Sequence, residues 1–260
     1  MTKYRINKTR FVDQTKTVSF TFDGKKYHGF EGDTLASALL SNGIHLIGRS
    51  FKYHRPRGIM SCGSEEPNAI CQINDNTDLT EPNVRATEIE LYEGLKASSQ
   101  NCWPSLNFDI GGINNLISPF IPAGFYYKTF MWPKSFWKKI YEPLIRLSAG
   151  LGKSPSQPDP DIYDHKHEHC DVLVIGGGIS GIISAKIAAK NNLKTILIED
   201  KNILGGSTIY QNNKNFIIDN QKSNEWLMNE ISELGKLDNL IIKTRTSLAA
   251  FHSYNYLLVK

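Results

Sequence analysis

The chain has 260 residues, 40% of them hydrophobic and 22% charged, and a formal net charge of +4 at pH 7. This length allows two domains with cores of their own, and the composition is typical of a globular protein. The mild charge gives no case for nucleic-acid binding, and the lack of a long apolar run argues against a membrane span. Four unevenly spaced cysteines and a start without a secretory apolar segment predict a reduced, cytoplasmic setting.

The first segment, residues 1–97, opens with strand and turn patterns. Residues 18–22 alternate between apolar and polar side chains, Asp23-Gly24 is a strong hairpin turn, and residues 25–30 read as the returning strand. The segment is therefore predicted to begin with a β-hairpin.

A short helix is predicted after this hairpin, over residues 35–42. Asp33 or Thr34 can cap its start, and Gly43 would end it. Two later runs, residues 69–74 and 87–92, are predicted as further strands. A hairpin followed by a helix across a mixed sheet indicates an α+β domain of the β-grasp type.

A basic loop stands between the helix and the later strands, at residues 49–58. Five basic residues alternate there with two aromatic ones: Arg49, Phe51, Lys52, Tyr53, His54, Arg55 and Arg57. Such a set could bind a phosphate or a nucleic acid. The small net charge favours the other interpretation, a structural loop or an interface with another chain.

The second segment, residues 98–169, is rich in aromatic and proline residues and is interpreted as a connecting arm. Its densest aromatic stretch, residues 125–137, could lie against a partner subunit, the chain's own domains or a membrane surface, and partner contact is preferred to the membrane. The alternating group of His165, His167, His169 and Cys170 could suggest a metal site. No second ligand group stands at a recognisable spacing, so no metal is predicted.

The third segment, residues 170–260, carries a glycine-rich turn between a strand pattern and a helix pattern. Gly176 permits a tight exit from the strand, Gly178 lets the backbone approach a pyrophosphate, and Gly181 allows close packing of the helix on the sheet. The phosphates would face free N–H groups at the positive end of the helix dipole. This α/β pattern predicts a dinucleotide-binding Rossmann-type unit.

An acid follows this turn at the spacing that a ribose contact requires. The strand pattern at residues 195–198 ends in Glu199, which lies 18 residues after Gly181. A carboxylate there accepts bonds from a ribose 2′-hydroxyl and repels a 2′-phosphate, so NAD or FAD is favoured over NADP. The Gly205-Gly206 pair that follows is common in flavoproteins with two dinucleotide sites. The motif itself leaves NAD and FAD open.

Several longer stretches resemble the α subunit of heterotetrameric sarcosine oxidase. They are Gly-Arg-Ser-Phe-Lys-Tyr-His-Arg-Pro-Arg-Gly at 48–58, Glu-Glu-Pro-Asn at 65–68, Trp-Pro-Ser-Leu at 103–106 and Pro-Ala-Gly-Phe-Tyr-Tyr-Lys-Thr-Phe-Met-Trp-Pro at 122–133. The resemblance covers essentially the whole chain. It implies a ferredoxin-like domain, a NAD-binding domain and then a folate domain, in a cytoplasmic complex with β, γ and δ subunits.

The resemblance also implies the activity and the cofactor contacts. The complex oxidatively demethylates sarcosine to glycine, with a FAD on the β subunit and an FMN between α and β. No catalytic residue is assigned to this chain. The positions that the resemblance assigns to NAD binding are Gly176, Gly178, Ser180, Gly181, Glu199, Asp200, Lys201 and Ser207. Because the family commonly has Asp-Glu where this chain has Glu199-Asp200, the acid that serves the ribose stays open.

Two departures from the family shape the remaining expectations. Related subunits hold a 2Fe-2S cluster with a Cys-x4-Cys-x2-Cys run, and that spacing from Cys62 meets Pro67 and Ile70, so no 2Fe-2S cluster is predicted. Only 84 residues follow Gly176, which predicts an incomplete Rossmann-type domain and no folate domain. The favoured function is an oxidoreductase subunit, inactive alone. The alternatives are a truncated or split non-catalytic subunit that binds nucleotide or docks to its partner, or a related amine or opine oxidase or dehydrogenase subunit that binds FAD.

Overall fold

A computed structural model describes residues 4–6, 11–74, 79–121, 123–124, 130–210 and 216–260. The chain divides into two compact units, Met1–Ile162 and Tyr163–Lys260, each with a hydrophobic core of its own. Part of the predicted aromatic stretch, residues 125–129, lies outside the described residues. No helix in the described ranges is long and apolar enough to cross a membrane.

A mixed β-sheet with one helix packed on it forms the centre of the first unit. Within the described ranges its strands are β1 (Asp13–Phe22), β2 (Lys25–Glu31), β3 (Gly48–Arg49), β4 (Pro56–Arg57), β5 (Ile70–Ile73), β6 (Glu81–Arg85) and β7 (Lys96–Ser99). Five of them form one sheet in the order β2-β1-β7-β5-β6, in which β1 and β7 run parallel and the other pairs antiparallel. The short strands β3 and β4 pair separately.

The predicted hairpin and helix of this unit are confirmed. Asp23 and Gly24 both have positive φ angles, 48° and 74°, as the tight turn between β1 and β2 requires. Helix α1 (Leu35–Ser41) begins with a capping box between Thr34 and Ser37. Its buried face packs on Phe20 and other sheet residues, which gives the α+β arrangement its core.

One strand prediction in this unit is wrong. Residues 87–92 form no strand apart from a single bridge between Glu90 and Thr34. Their backbone bonds instead hold the start of α1, since Ile89 O accepts from Leu35 N at 2.9 Å and Leu91 N donates to Asp33 O at 2.9 Å. The strand lies earlier, at β6, where an edge position tolerates its proline.

Short helical segments follow the sheet in the connecting arm. They are 3-10 turns at Ile110–Gly112 and Ser118–Phe120, helix α2 (Ile113–Leu116), a π-helical turn at Trp137–Tyr141 and helix α3 (Glu142–Ser148). Residues 151–170 have no regular secondary structure. This irregular stretch contains the predicted histidine group.

The second unit is a parallel α/β arrangement. Its described elements are β8 (Val172–Ile175), α4 (Ile179–Lys190), β9 (Thr195–Ile198), a 3-10 turn (Gly206–Ile209), β10 (Ile217–Ile218), β11 (Gln221–Lys222), α5 (Ser223–Leu234), β12 (Leu240–Lys243), β13 (Leu248–His252), a 3-10 turn (Ser253–Asn255) and β14 (Tyr256–Val259). Strands β12, β9 and β8 form a parallel sheet in that order. The helices cover this sheet with buried Ile182, Trp226 and Leu227. The predicted strand–helix–strand order is confirmed.

Candidate dinucleotide-binding site

The candidate site forms where β8 ends and α4 begins. Gly176 has a φ angle of 95°, a left-handed conformation that lets the chain leave the strand sharply. Its N–H donates to Ile198 O at 2.8 Å, which fixes the turn to the neighbouring strand β9. A Cβ at Gly181 would lie 1.8 Å from the carbonyl oxygen of Gly176, so helix and turn approach each other as only glycine permits.

The first turn of α4 is open to an anion. Gly178 is the N-cap residue and no side chain caps the helix there. A Cβ at Gly178 would meet no atom within 4 Å, so the space in front of this backbone is clear. Ser180 lies exposed on the same turn. Uncapped N–H groups at the positive end of a helix dipole are suited to bind a phosphate.

Glu199 lies at the end of β9 with its carboxylate against the glycine turn. Its Oε2 accepts from Gly177 N at 2.5 Å and its Oε1 from Lys201 N at 3.1 Å. The residue is only 5% exposed, whereas its neighbour Asp200 is exposed. The two predicted acids are therefore not equivalent, because Glu199 contacts the turn and Asp200 stands outside it.

Burial and the neighbouring acid raise the pKa of Glu199. Loss of solvent is the larger cause, a hydrogen bond with Asp200 adds to it, and the N–H groups of Gly177 and Lys201 oppose it. For Lys201, burial acts to lower the pKa, but the bond to the Tyr210 hydroxyl and the negative charge around it raise the pKa overall.

A second loop closes over the glycine turn. Gly205 N donates to Gly177 O at 2.8 Å, and a Cβ at Gly206 would lie 3.0 Å from the Cα of Gly178. Ser207 follows, exposed, on the 3-10 turn. The structure thus brings the predicted Gly176, Gly178, Gly181 and Glu199 together with this loop.

Three contributors were not among the predicted site residues. Gly177 carries the N–H that holds Glu199, and Gly205 bonds to the turn. Tyr210 accepts from Lys201 Nζ at 2.8 Å and has that ammonium 4.7 Å from its ring centre. The Gly-Gly pair was visible as a motif, but nothing in the sequence links Tyr210 to Lys201.

Two family descriptions match separate parts of the chain. Residues 15–102 match the "2Fe-2S iron-sulfur cluster binding domain" family and residues 171–237 match the "FAD dependent oxidoreductase" family. Together they establish a ferredoxin-like domain followed by a Rossmann-type domain of the FAD-dependent oxidoreductases.

The first match corrects the prediction of no 2Fe-2S cluster, because the domain is of the cluster-binding type. That prediction came from one cysteine spacing measured from Cys62, whereas the match extends over the whole domain. The described side chains do not fit four thiolate ligands. No group of three or more His, Cys, Asp or Glu that could hold a metal occurs among them.

Known proteins are similar over nearly the whole chain. The sarcosine oxidase subunit alpha of Rhizobium meliloti (strain 1021) is 48% identical over 98% of this chain, and that of Corynebacterium sp. (strain U-96) is 27% identical over 95%. This chain covers 25% and 21% of those two proteins. The L-proline dehydrogenase of P. horikoshii has the same fold over 95% of this chain and 37% of its own, with a TM-score of 0.54 and 23% identity. The chain is a homologue of sarcosine oxidase α subunits and spans about a quarter of the length of the relative from Rhizobium meliloti.

Proposed function

We propose that this chain is the NAD-binding portion of a sarcosine oxidase α subunit and acts within a flavoenzyme that oxidatively demethylates sarcosine to glycine. The observation that carries the proposal is the uncapped glycine turn with the carboxylate of Glu199 bonded to Gly177 N at 2.5 Å. The 48% identity to the Rhizobium meliloti subunit supports the choice of enzyme. The β, γ and δ subunits are the proposed partners.

In this proposal the turn and the helix bind the pyrophosphate. The N–H groups at the start of α4 donate to its oxygens, and Gly178 leaves room for the approach. Ser180 and Ser207 are exposed near the turn and supply hydroxyl groups. Bound NAD would supply a nicotinamide that can accept or donate a hydride.

Glu199 is the proposed ribose ligand. Its two oxygens accept from the N–H groups of Gly177 and Lys201, and a carboxylate oxygen can accept more than one hydrogen bond. A charge at this place repels a 2′-phosphate. In this proposal the neighbouring Asp200 supplies a second carboxyl group, and Lys201 lies beside them, held by its hydrogen bond to Tyr210.

FAD is the second candidate for the same site. The match of residues 171–237 to FAD-dependent oxidoreductases favours it. NAD and FAD share the adenosine and pyrophosphate that the turn and Glu199 bind. NAD and FAD would therefore make the same contacts with the described residues, and direct binding measurements are needed to distinguish them.

Calorimetric titration of the whole chain with NAD, NADP and FAD tests this proposal. We expect NAD to bind more tightly than NADP, and Glu199→Gln to weaken NAD binding about tenfold, the effect of about 1.4 kcal/mol. Asp200→Asn should have a smaller effect, and the Glu199→Ala, Asp200→Ala double variant the largest. The exposed Glu225→Gln on α5 is the control for one lost charge.

Unchanged NAD affinity in the double variant would remove the ribose assignment. Binding of FAD without NAD would replace the first candidate by the second. The enzyme itself is tested by co-expression with a flavin-bearing sarcosine oxidase β subunit, where we expect co-purification and sarcosine-dependent hydrogen peroxide. A chain that stays alone and yields no peroxide contradicts the assignment to the complex.

A further inference from the structure

Tyr210 lies at the far end of the loop that closes over the glycine turn, residues 204–210. Near the start of this loop, Gly205 N donates to Gly177 O at 2.8 Å. At its other end the side chain of Tyr210 contacts Lys201, which follows β9. The loop is therefore bonded at both ends to parts of the candidate dinucleotide site, first to the glycine turn and then to the residues after β9.

The side chain of Tyr210 holds the ammonium of Lys201 in place. Lys201 Nζ donates to the Tyr210 hydroxyl oxygen at 2.8 Å and lies 4.7 Å from the centre of the ring. A lysine ammonium ends a flexible four-carbon stem, and these two contacts restrict the positions that it can take. An ammonium has three N–H donors. Only one of them is used here, so two form no hydrogen bond with the described residues.

The ammonium of Lys201 lies among the acids at the end of β9. Burial acts to lower the pKa of Lys201, but the bond to Tyr210 raises it. The negative charges of Asp200 and Glu199 raise it further, so the ammonium stays charged at neutral pH. The backbone N–H of Lys201 also donates to Glu199 Oε1 at 3.1 Å. A charged donor is therefore held close to the carboxylate that is the proposed ribose ligand.

We propose that Tyr210 is a positioning residue for the adenosine half of the dinucleotide, because it holds the Lys201 ammonium where it can donate to ribose oxygens beside Glu199. The inference rests on the proposed function and adds to it a residue that acts through Lys201 rather than on the ligand. A side chain that is ordered before the ligand arrives has less rotamer freedom to lose on binding. The affinity is higher for that reason.

Calorimetric titration of the whole chain with NAD and, separately, FAD tests the role of Tyr210. We expect Tyr210→Phe, which keeps the ring and loses the hydroxyl, to weaken binding about three- to tenfold, the effect of ordering one long side chain. Lys201→Met should weaken binding at least as much. Adding Tyr210→Phe to Lys201→Met should cause no further loss, because both changes remove the same bond. The control is Tyr254→Phe, the same change at an exposed tyrosine of the same unit, which should leave binding unchanged.

A measurement without ligand distinguishes positioning from packing. Hydrogen exchange between the Lys201 ammonium and water, followed by NMR of the nitrogen-labelled chain, should be slow in the wild-type chain and faster in Tyr210→Phe. The hydrogen bond to Tyr210 protects the ammonium, whereas packing of the ring is the same in both proteins. Tyr210 is 44% exposed, so Tyr210→Phe should fold, and unchanged thermal unfolding verifies this.

Equal affinities of the wild-type chain and Tyr210→Phe for NAD and FAD overturn this inference and leave the proposed function standing. Losses that add in the double variant, or equally fast ammonium exchange in both proteins, overturn it in the same way. A wild-type chain that binds neither NAD nor FAD contradicts the proposed function itself, and the role of Tyr210 toward the ligand is then contradicted with it.

Discussion

A single buried carboxylate organises the loop that leads into β5. Glu66 is 1% exposed, and four backbone N–H groups converge on it. Its Oε2 accepts from Met60 and Ser61, both at 2.7 Å, and its Oε1 from Asn68 at 2.7 Å and Ala69 at 3.1 Å. The loop closes around this charge, which gives each of the four N–H groups an acceptor.

The same bonds set the sign of its pH dependence. Burial acts to raise the pKa of Glu66, but the four N–H groups outweigh it and the pKa is lowered from its ordinary 4.5. Because the pKa of Glu66 is lower in the folded chain than in the unfolded chain, ionised Glu66 stabilises the fold at pH values above its pKa in the unfolded chain. That stabilisation is lost as the pH falls through the folded pKa.

We therefore expect Glu66→Gln to reduce the free energy of unfolding by about 2 kcal/mol at pH 7, because an amide cannot accept from all four N–H groups. The loss should shrink as the pH falls below the unfolded pKa. Denaturant unfolding of the whole chain between pH 7 and pH 3 measures it. The control is Glu65→Gln, a change at the exposed residue next to Glu66. If both variants showed the same pH dependence of stability, the role of Glu66 would be contradicted.

At the scale of elements, the strand–turn–helix unit uses its glycines in different ways. Gly181 is required by the fold, because its Cβ would meet the Gly176 carbonyl oxygen. Gly178 has a φ angle of −71° and open space before it, so nothing in the described structure requires a glycine there. If the turn binds a pyrophosphate, the missing side chain at Gly178 leaves space for the ligand.

The two alanine variants should therefore behave oppositely. We expect Gly181→Ala to lower the free energy of unfolding by about 1–3 kcal/mol through overpacking. Gly178→Ala should change it by less than about 1 kcal/mol, since alanine is only a weaker N-cap. The affinity of Gly178→Ala for the dinucleotide should nevertheless fall at least about tenfold, which corresponds to about 1.4 kcal/mol of binding free energy. Thermal unfolding without ligand and calorimetry with NAD or FAD measure the two effects. Full affinity in Gly178→Ala would argue against the phosphate site.

The elements that sequence patterns predict well are those with local signals. The hairpin turn at Asp23-Gly24, the cap at Thr34 and the glycine turn each have a short-range physical cause, and the structure has all three. The β6 strand was missed because its stability comes from pairing with β5, while Pro82 and Asn83 argue against a strand locally.

The sequence likewise predicts some contacts of the candidate site and not others. The order of glycines and acid predicts that turn and carboxylate meet, because parallel strands end at the same edge of a sheet. The sequence order of Glu199 and Asp200 does not predict that the first is buried and the second exposed, because this depends on the direction of each side chain after β9. The contact of Tyr210 with Lys201 likewise depends on the loop fold.

At the scale of the whole molecule, an exposed connection joins the two units. Residues 151–170 have no regular secondary structure, and residues 153–169 are exposed throughout. Backbone without ladder hydrogen bonds or burial is the usual site of proteolysis. Trypsin can cut this stretch after Lys153 or Lys166. The Lys153 N–H donates to Gln72 Oε1 at 3.1 Å, which holds that backbone, whereas the Lys166 side chain is 73% exposed.

Brief trypsin treatment should therefore cut first after Lys166 and leave two stable fragments, one for each hydrophobic core. Lysines in regular structure, such as Lys190 at the end of α4, should be cut later because the helix must open first. Mass spectrometry of timed samples identifies the cuts. Lys166→Gln should remove the first cut and leave the chain whole for longer. NAD or FAD should slow later cleavage of the fragment with the glycine turn only, because a ligand that binds the folded form stabilises it. Cuts spread evenly over both units would contradict two separately stable cores.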